Sequence, residues 1–341
     1  MSVSKLRFAV MGFRHGHVYD ACHRIKGRAD AEIVAACEED AVTRDKIRAE
    51  GRVILTHDSY ASMLDSVPVD AVLVGDYYAK RGSVILEALR RGKHVLSDKP
   101  FCTCKDELNA IQTISRQNKL VVGCMLDLRD QGVALEMRRM ILNGAIGEIH
   151  AISFNGEHPL LHGTRPAWYF EEGKHGGTLN DIAIHAMDVI PWMTGLHFLT
   201  IQVARHWNAR LKEASHFKDC AQVMLTMDNQ CGVLGDVSYL APDNHGYALP
   251  QYWQMRFWGS DGLLENHNFQ EILLYHKNAK EVKSIAHPEG RPGGYLDAFI
   301  REVRGENAGL HLSSAECFRA QHLALAIQDA ADRCLTRVQL A

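Results

Sequence analysis

Through roughly its first 125 residues this chain alternates short apolar runs with helical stretches of about ten residues. Strands are read at 6–11, 32–37, 71–75, 94–97 and 120–125, with a brief further run at 53–55. Helices are read between them at 19–25, 43–50, 59–64, 83–90 and 105–117. Near-continuous apolar strands separated by helices are the pattern of βαβ units, whose parallel sheet is buried on both faces. A doubly wound domain is expected over 1–124.

Beyond Cys124 the periodicity changes. A helix at 132–142 and a strand at 148–155 are followed by period-2 alternation. Ala221, Val223, Leu225 and Met227 fall on one face, as do Cys231, Val233, Val237 and Tyr239, then Trp253, Met255 and Phe257. Such strands form an open, mainly antiparallel sheet with one covered face. A length of 341 residues suits a second domain over 125–341, closed by a helix at 314–334. Tyr252, Trp258 and Tyr239 leave apolar surface for the other face, so a homodimer or homotetramer through this sheet is expected.

The formal charge of −3 provides no basic field for nucleic acid or an anionic membrane. No window approaches the roughly 18 apolar residues of a membrane helix, and 1–7 lack a signal-peptide core. A cytoplasmic protein is expected. Nine cysteines without a Cys-x-x-Cys indicate neither a zinc ribbon nor a disulfide framework, and no metal site is expected. Nineteen histidines are either dispersed, or several of His158, His162, His175 and His185 converge on one polar pocket.

Five segments carry candidate chemistry. The first strand ends in Gly12-Phe13-Arg14-His15-Gly16-His17, where a dinucleotide fingerprint would read Gly-x-Gly-x-x-Gly. Only Gly12 matches; Arg14 and His17 stand in the other two glycine positions, and Arg14 brings charge for a phosphate. Glu38 follows the second strand where an acid binds the ribose hydroxyls of NAD and repels the 2′-phosphate of NADP, with Glu39 and Asp40 as alternatives. Asp98-Lys99-Pro100 ends a later strand, at the sheet edge where ligands bind. Gly176-Gly177 loosens the backbone ahead of Asp181 and His185, an acid and an imidazole at i and i+4 on one helix face. Between His158 and His175, Arg165 suits a carboxylate or phosphate, while Trp168 and Tyr169 either face a sugar ring or pack beneath a loop.

These motifs, with Arg90-Arg91-Gly92-Lys93-His94-Val95-Leu96 and Gly144-Ala145-Ile146-Gly147-Glu148-Ile149, resemble the glucose-fructose oxidoreductase/inositol dehydrogenase/rhizopine catabolism (Gfo/Idh/MocA) family over nearly the whole chain. The resemblance implies an N-terminal Rossmann domain and a C-terminal domain on an open antiparallel sheet. It also implies a catalytic group of Lys99, Asp181 and His185. The cofactor positions would be Gly12, Phe13, Arg14, His15, Glu38, Gly75, Asp76, Asp98 and Lys99. His158, Arg165, Trp168, Asp181 and His185 would meet a carbohydrate-like substrate. The chain departs from the family where Asp98 replaces a glutamate, Gly75-Asp76-Tyr77-Tyr78 replaces Thr-Pro-Asn, and Arg81 replaces a histidine.

The leading expectation is hydride transfer between a secondary alcohol of a sugar or polyol and NAD, with NADP less favoured. An NAD-retaining enzyme that cleaves a glycosidic bond through transient oxidation is the alternative. A metal-dependent hydrolase built on Asp181 and His185, and a non-catalytic nucleotide sensor, are further readings of other classes.

Overall fold

The computed structural model describes residues 4–340, which divide into two compact units. Among the described residues, the first comprises 4–126 together with 173–176 and 292–318; the second comprises 127–172, 177–291 and 319–340. Two segments beyond residue 124 therefore belong to the first unit.

In the first unit β1 (Leu6–Met11), α1 (His17–Ile25), β2 (Ala31–Cys37), α2 (Ala41–Glu50), α3 (Tyr60–Ser66), β3 (Ala71–Val74), α4 (Tyr78–Arg90), β4 (His94–Ser97), α5 (Lys105–Asn118) and β5 (Val122–Cys124) follow in order. Their sheet is wholly parallel, in the order β2-β1-β3-β4-β5. Both faces are covered, as the continuous apolar runs require: Phe8, Val10, Val72, Leu73, Val95 and Leu96 are fully buried. The run at 53–55 forms no strand; only a bridge between Cys37 and His57 remains of it. Ile54 is among the exposed residues, so this run has no apolar surface to pair against.

The second unit holds α6 (Gly132–Leu142), β6 (Ile149–Pro159), α7 (Ile184–Thr194), β7 (Phe198–Trp207), β8 (Cys220–Met227), β9 (Gly232–Ala241), β10 (Gln254–Gly259), β11 (Gly262–His267), β12 (Glu271–His276) and β13 (Lys283–Ser284). α8 (Gly294–Val303) returns to the first unit, α9 (Ser314–Asp332) passes from the first to the second, and β14 (Thr336–Gln339) ends the sheet. The nine strands run β13-β12-β11-β10-β6-β9-β8-β7-β14, antiparallel except for the β6–β9 pair. α6 and α7 cover one face, packing Met137, Ile141, Met187 and Ile190 into a core with Ile152, Phe154, Val233 and Phe257. Tyr239 lies on this covered face, fully buried, rather than on the open one. Among the described residues no helix is long and apolar enough to cross a membrane.

The glycine pair is tight rather than loose. Gly176 and Gly177 have φ of +79° and +98° and mark one of the crossings between units. A Cβ on Gly176 would lie 2.0 Å from Thr103 of the first unit, and one on Gly177 would lie 2.2 Å from Gln328 of the second. Gln328 uses that space: its side-chain oxygen accepts the amides of Leu179 (3.1 Å) and Asn180 (3.3 Å), two donors that the start of a helix leaves unsatisfied. Gly177→Ala is expected to lose about 1–2 kcal/mol from the left-handed backbone and about another 1 kcal/mol from the displaced hydrogen bonds. Gly163, at φ +87° with nothing within 4 Å of a Cβ, isolates the backbone component. Chemical denaturation should show Gly177→Ala distinctly less stable than Gly163→Ala, and equal losses would refute the packing argument.

Candidate active site

At the mouth of the parallel sheet, β1 ends in a turn that only glycine permits. Gly12 has φ +90°, and a Cβ there would lie 2.8 Å from the Asp76 amide nitrogen; one on Gly75 would lie 2.6 Å from the Gly12 carbonyl. Glu38 stands at the end of β2, fully buried, and pins this turn. One of its carboxylate oxygens accepts the Phe13 amide (2.7 Å) and the other the Asp40 amide (2.9 Å). Burial raises the Glu38 pKa while those amides oppose the rise. Each oxygen has a second lone pair, which is what a ribose hydroxyl requires. Asp76 is braced by the Tyr60 hydroxyl (2.8 Å), the Tyr77 amide (2.8 Å) and Lys80 (3.1 Å).

Asp98, at the end of β4, accepts four hydrogen bonds. Its side chain is fully buried, with Arg81 Nη2 (2.8 Å) and His15 Nδ1 (2.6 Å) on Oδ2, and His17 Nδ1 (2.9 Å) and the Lys99 amide (2.7 Å) on Oδ1. Burial alone would raise the carboxyl pKa, but Arg81 and the two imidazoles hold it well below the usual range. Arg81 also binds the Asp76 carbonyl (2.8 Å) and the Lys99 carbonyl, tying the ends of β3 and β4 together. Lys99 is buried before a cis peptide to Pro100, with its ammonium 6.0 Å from the Tyr78 ring centre. The donor atoms of His15, His17 and Asp98 lie within 4.8 Å of one another, a spacing a metal ion accepts. The Arg81 guanidinium on the same carboxylate opposes a second cation there.

The second unit positions the other motif. Leu179–Ala183 forms a π-helical turn leading into α7, where the sequence suggested continuous α-helix. Single π turns of this kind recur at functional sites. Gln321, from α9, donates to Asn180 (2.8 Å), so side chains of α9 hold the turn from behind. Asp181 is buried and accepts a hydrogen bond from the Tyr239 hydroxyl. Burial and the Asp181 charge push the Tyr239 phenol well above its ordinary pKa, so it remains a donor. His185, in the first turn of α7, meets the Trp253 ring edge-on at 5.4 Å.

His158 shares Trp253 at 6.1 Å and stands against Tyr239, Tyr252 and Tyr247 at 6.1, 4.8 and 6.0 Å. Of the four histidines considered for one pocket, His158 and His185 come together on this aromatic wall. His162 packs on Phe170, and His175 belongs to the first unit, beside Tyr78. Arg165 lies over the Tyr169 and Tyr239 rings and donates to the carbonyls of Pro159 and Leu160 and to the Tyr247 hydroxyl. These contacts make it a brace for the wall. Trp168 is buried and stacked on Tyr169 at 4.2 Å, which is a packing role. Sequence reading gave no site role to Tyr239, Trp253, Arg81 or Gln328. Tyr239 and Trp253 were read only as strand positions and Arg81 only as a departure from the family; nothing local marked Gln328.

Two half-buried groups make stability depend on pH with opposite signs. Burial holds His15 down to about 4 from 6.5, against the pull of Asp98. The unfolded chain thus takes up this proton first, so the contribution is complete above 6.5 and lost as pH falls toward 4. Glu157, on β6, is raised by burial from 4.5 to about 7, despite its hydrogen bond from Ser238. Its contribution is complete below 4.5 and lost as pH rises through 7. Denaturation midpoints across this range should lose the acidic decline in His15→Asn and the upper decline in Glu157→Gln. Unchanged profiles in the variants would refute the assignments.

Comparison with known proteins gives the family. Residues 6–125 match an oxidoreductase family with an NAD-binding Rossmann fold, and 134–265 match the GFO/IDH/MocA C-terminal domain. Inositol 2-dehydrogenase 3 of Saccharopolyspora erythraea is 28% identical over 223 residues, covering 64% of this chain and 62% of that protein. D-glucoside 3-dehydrogenase of Escherichia coli is 26% identical over 200 residues, covering 57% of this chain and 56% of that protein. The matches to the two Saccharopolyspora inositol 2-dehydrogenases thus span about three fifths of those proteins' length. An inositol dehydrogenase homologue of Azotobacter vinelandii, solved with NAD+, shares the fold at TM-score 0.83 with 17% identity, over 99% of this chain and 98% of that one. The order of parallel sheet and open mixed sheet agrees with these matches, and the two family models together span most of the chain: the chain belongs to the Gfo/Idh/MocA family of NAD-binding oxidoreductases.

Proposed function

We propose that this chain transfers hydride reversibly between a secondary alcohol of a sugar, polyol or sugar derivative and NAD, with Lys99, Asp181 and His185 as its catalytic group. The observation that carries the reading is the buried Asp181 carboxylate, held by the Tyr239 hydroxyl one helical turn before His185. An acid so placed can orient an imidazole or a substrate hydroxyl. An imidazole, the side chain of His185, is suited to take the hydroxyl proton near neutral pH. Lys99 contributes positive charge where negative charge grows on the substrate oxygen. The bound nicotinamide supplies the redox step by accepting or returning hydride. Gly12, Gly75 and Glu38 fit a dinucleotide, through the close backbone approach at the turn and the acid at the end of β2. That acid supports NAD over NADP. The rings of His158, Tyr247, Tyr252 and Trp253 supply flat apolar surface for the C–H face of a carbohydrate ring. The dehydrogenases among the relatives support net hydride transfer over glycosidic cleavage by transient oxidation.

His185→Ala is expected to lower turnover by about 10²–10⁴-fold with NAD affinity nearly unchanged. Steady-state kinetics over sugars and polyols, paired with NAD titration, measure both quantities. Near-normal kcat in the variant would remove His185 from the mechanism.

The open face of the large sheet supports assembly of two or more copies. Leu234 and Trp258 are 59% and 51% exposed there, and Val203, Met224 and Tyr275 are exposed on the same sheet. Val203, Met224 and Leu234 line a groove of about 430 Å³ with Arg205, Asp236 and Arg256. An apolar patch edged by both signs of charge fits a second copy of itself. Light scattering at micromolar concentration should give a dimer or tetramer, and Leu234→Lys should lower the mass; a monomeric wild-type chain would contradict the reading.

A further inference from the structure

Two amides of the first turn are already bonded within the chain. The Phe13 amide donates to Glu38 (2.7 Å) and the Arg14 amide to the Gly75 carbonyl (2.9 Å). Nearby cations are similarly engaged: Lys80 by Glu39 and Asp76, Arg44 by the carbonyls of Glu38 and Glu39, and Arg81 by Asp98. Two others converge on one ring. The Arg14 guanidinium lies 5.6 Å from the Tyr77 ring centre, and the Lys174 ammonium lies 5.2 Å from it. Arg14 also meets Asp40 at 3.4 Å, and both cations help lower the Asp40 carboxyl, against its burial.

Lys174 arrives on a strap. Residues 173–176 belong to the first unit although their neighbours on both sides belong to the second. The Lys174 carbonyl accepts the Ala79 amide at the first turn of α4 (3.1 Å), and the His175 ring stands 5.4 Å from Tyr78. Gly176 then rests against Thr103. The strap thus fixes a cation at the sheet mouth, in the same unit as a turn whose Phe13 and Arg14 amides are already bonded.

We propose that Arg14 and Lys174, flanking Tyr77, form the subsite for the pyrophosphate of the dinucleotide, adding side-chain charge beside a turn whose Phe13 and Arg14 amides are already bonded. The inference rests on the dinucleotide reading above. Two cations on separate segments allow monodentate or bidentate contact with the phosphate oxygens, and Tyr77 spaces their side chains without neutralising them. Binding through side-chain charge is more sensitive to ionic strength than binding through amides.

The test is calorimetric titration of the full chain with NAD, NADP, ADP and adenosine at low and high salt. Lys174→Met and Arg14→Met should each weaken NAD and ADP by about ten- to a hundred-fold, leave adenosine within twofold, and flatten the salt dependence. Lys174→Arg should restore most of the affinity. Lys174 is partly exposed, so its variant keeps the test open if Arg14→Met is unstable. Variants that bind NAD and ADP like the wild type overturn the subsite, as does a loss confined to NADP, which would assign the cations to a 2′-phosphate. A wild-type chain that binds NAD while both variants also do so fails this inference alone. A wild-type chain that binds neither NAD nor ADP overturns the dinucleotide reading together with the subsite.

Discussion

The Asp98 carboxylate is a buried charge that the first unit is arranged to neutralise. It is out of contact with water, and a carboxylate in that position is tolerable only with paired charge and saturated lone pairs. Arg81 from α4, His15 and His17 from the first turn and α1, and the Lys99 amide meet both needs. Through them the end of β4, the mouth of β1 and the first turns of two helices are held in one network. The shorter aspartate fits because Arg81 comes to it and also takes the carbonyls of Asp76 and Lys99. Replacing one partner alone would leave a charge stranded, so these residues form a set.

The second unit solves a similar problem with neutral groups. Asp181 sits in a π turn whose amides are bonded by Gln328, whose Asn180 is held by Gln321, and whose carboxylate is met by Tyr239. None of these named partners carries charge; they fix the carboxylate by hydrogen bonds and packing. Gly177 admits the Gln328 amide because it has no Cβ, which links an apparently generic glycine pair to the geometry of the chemistry.

Much of the fold was legible along the chain. Phe8, Val72 and Val95 lie in continuous apolar runs and are buried on a two-sided sheet; Val223, Leu225 and Val233 alternate and line a one-sided core. Glu38 was legible as the acid at the end of β2, though its bonds to Phe13 and Asp40 were not. The errors share a cause. The 53–55 run looked like a strand because it is apolar, and Tyr239 was assigned both to the covered face with Val233 and Val237 and to the open one, because an aromatic residue suits either side of a sheet. Arg165, read as suited to a carboxylate or phosphate, is held by carbonyls and rings that the sequence did not show.

Sequence by itself determined the architecture and the positions of the chemistry. Apolar periodicity dictates which surfaces must be covered, and an acid and an imidazole four residues apart stay close in almost any helical geometry. Tertiary structure alone decided which partner each polar side chain received. Arg81 with Asp98, Tyr239 with Asp181, and Lys174 with Arg14 around Tyr77 join residues separated by 17, 58 and 160 positions. No local pattern encodes such pairings, because a buried polar group is stabilised by whichever donor or charge the completed packing brings to it.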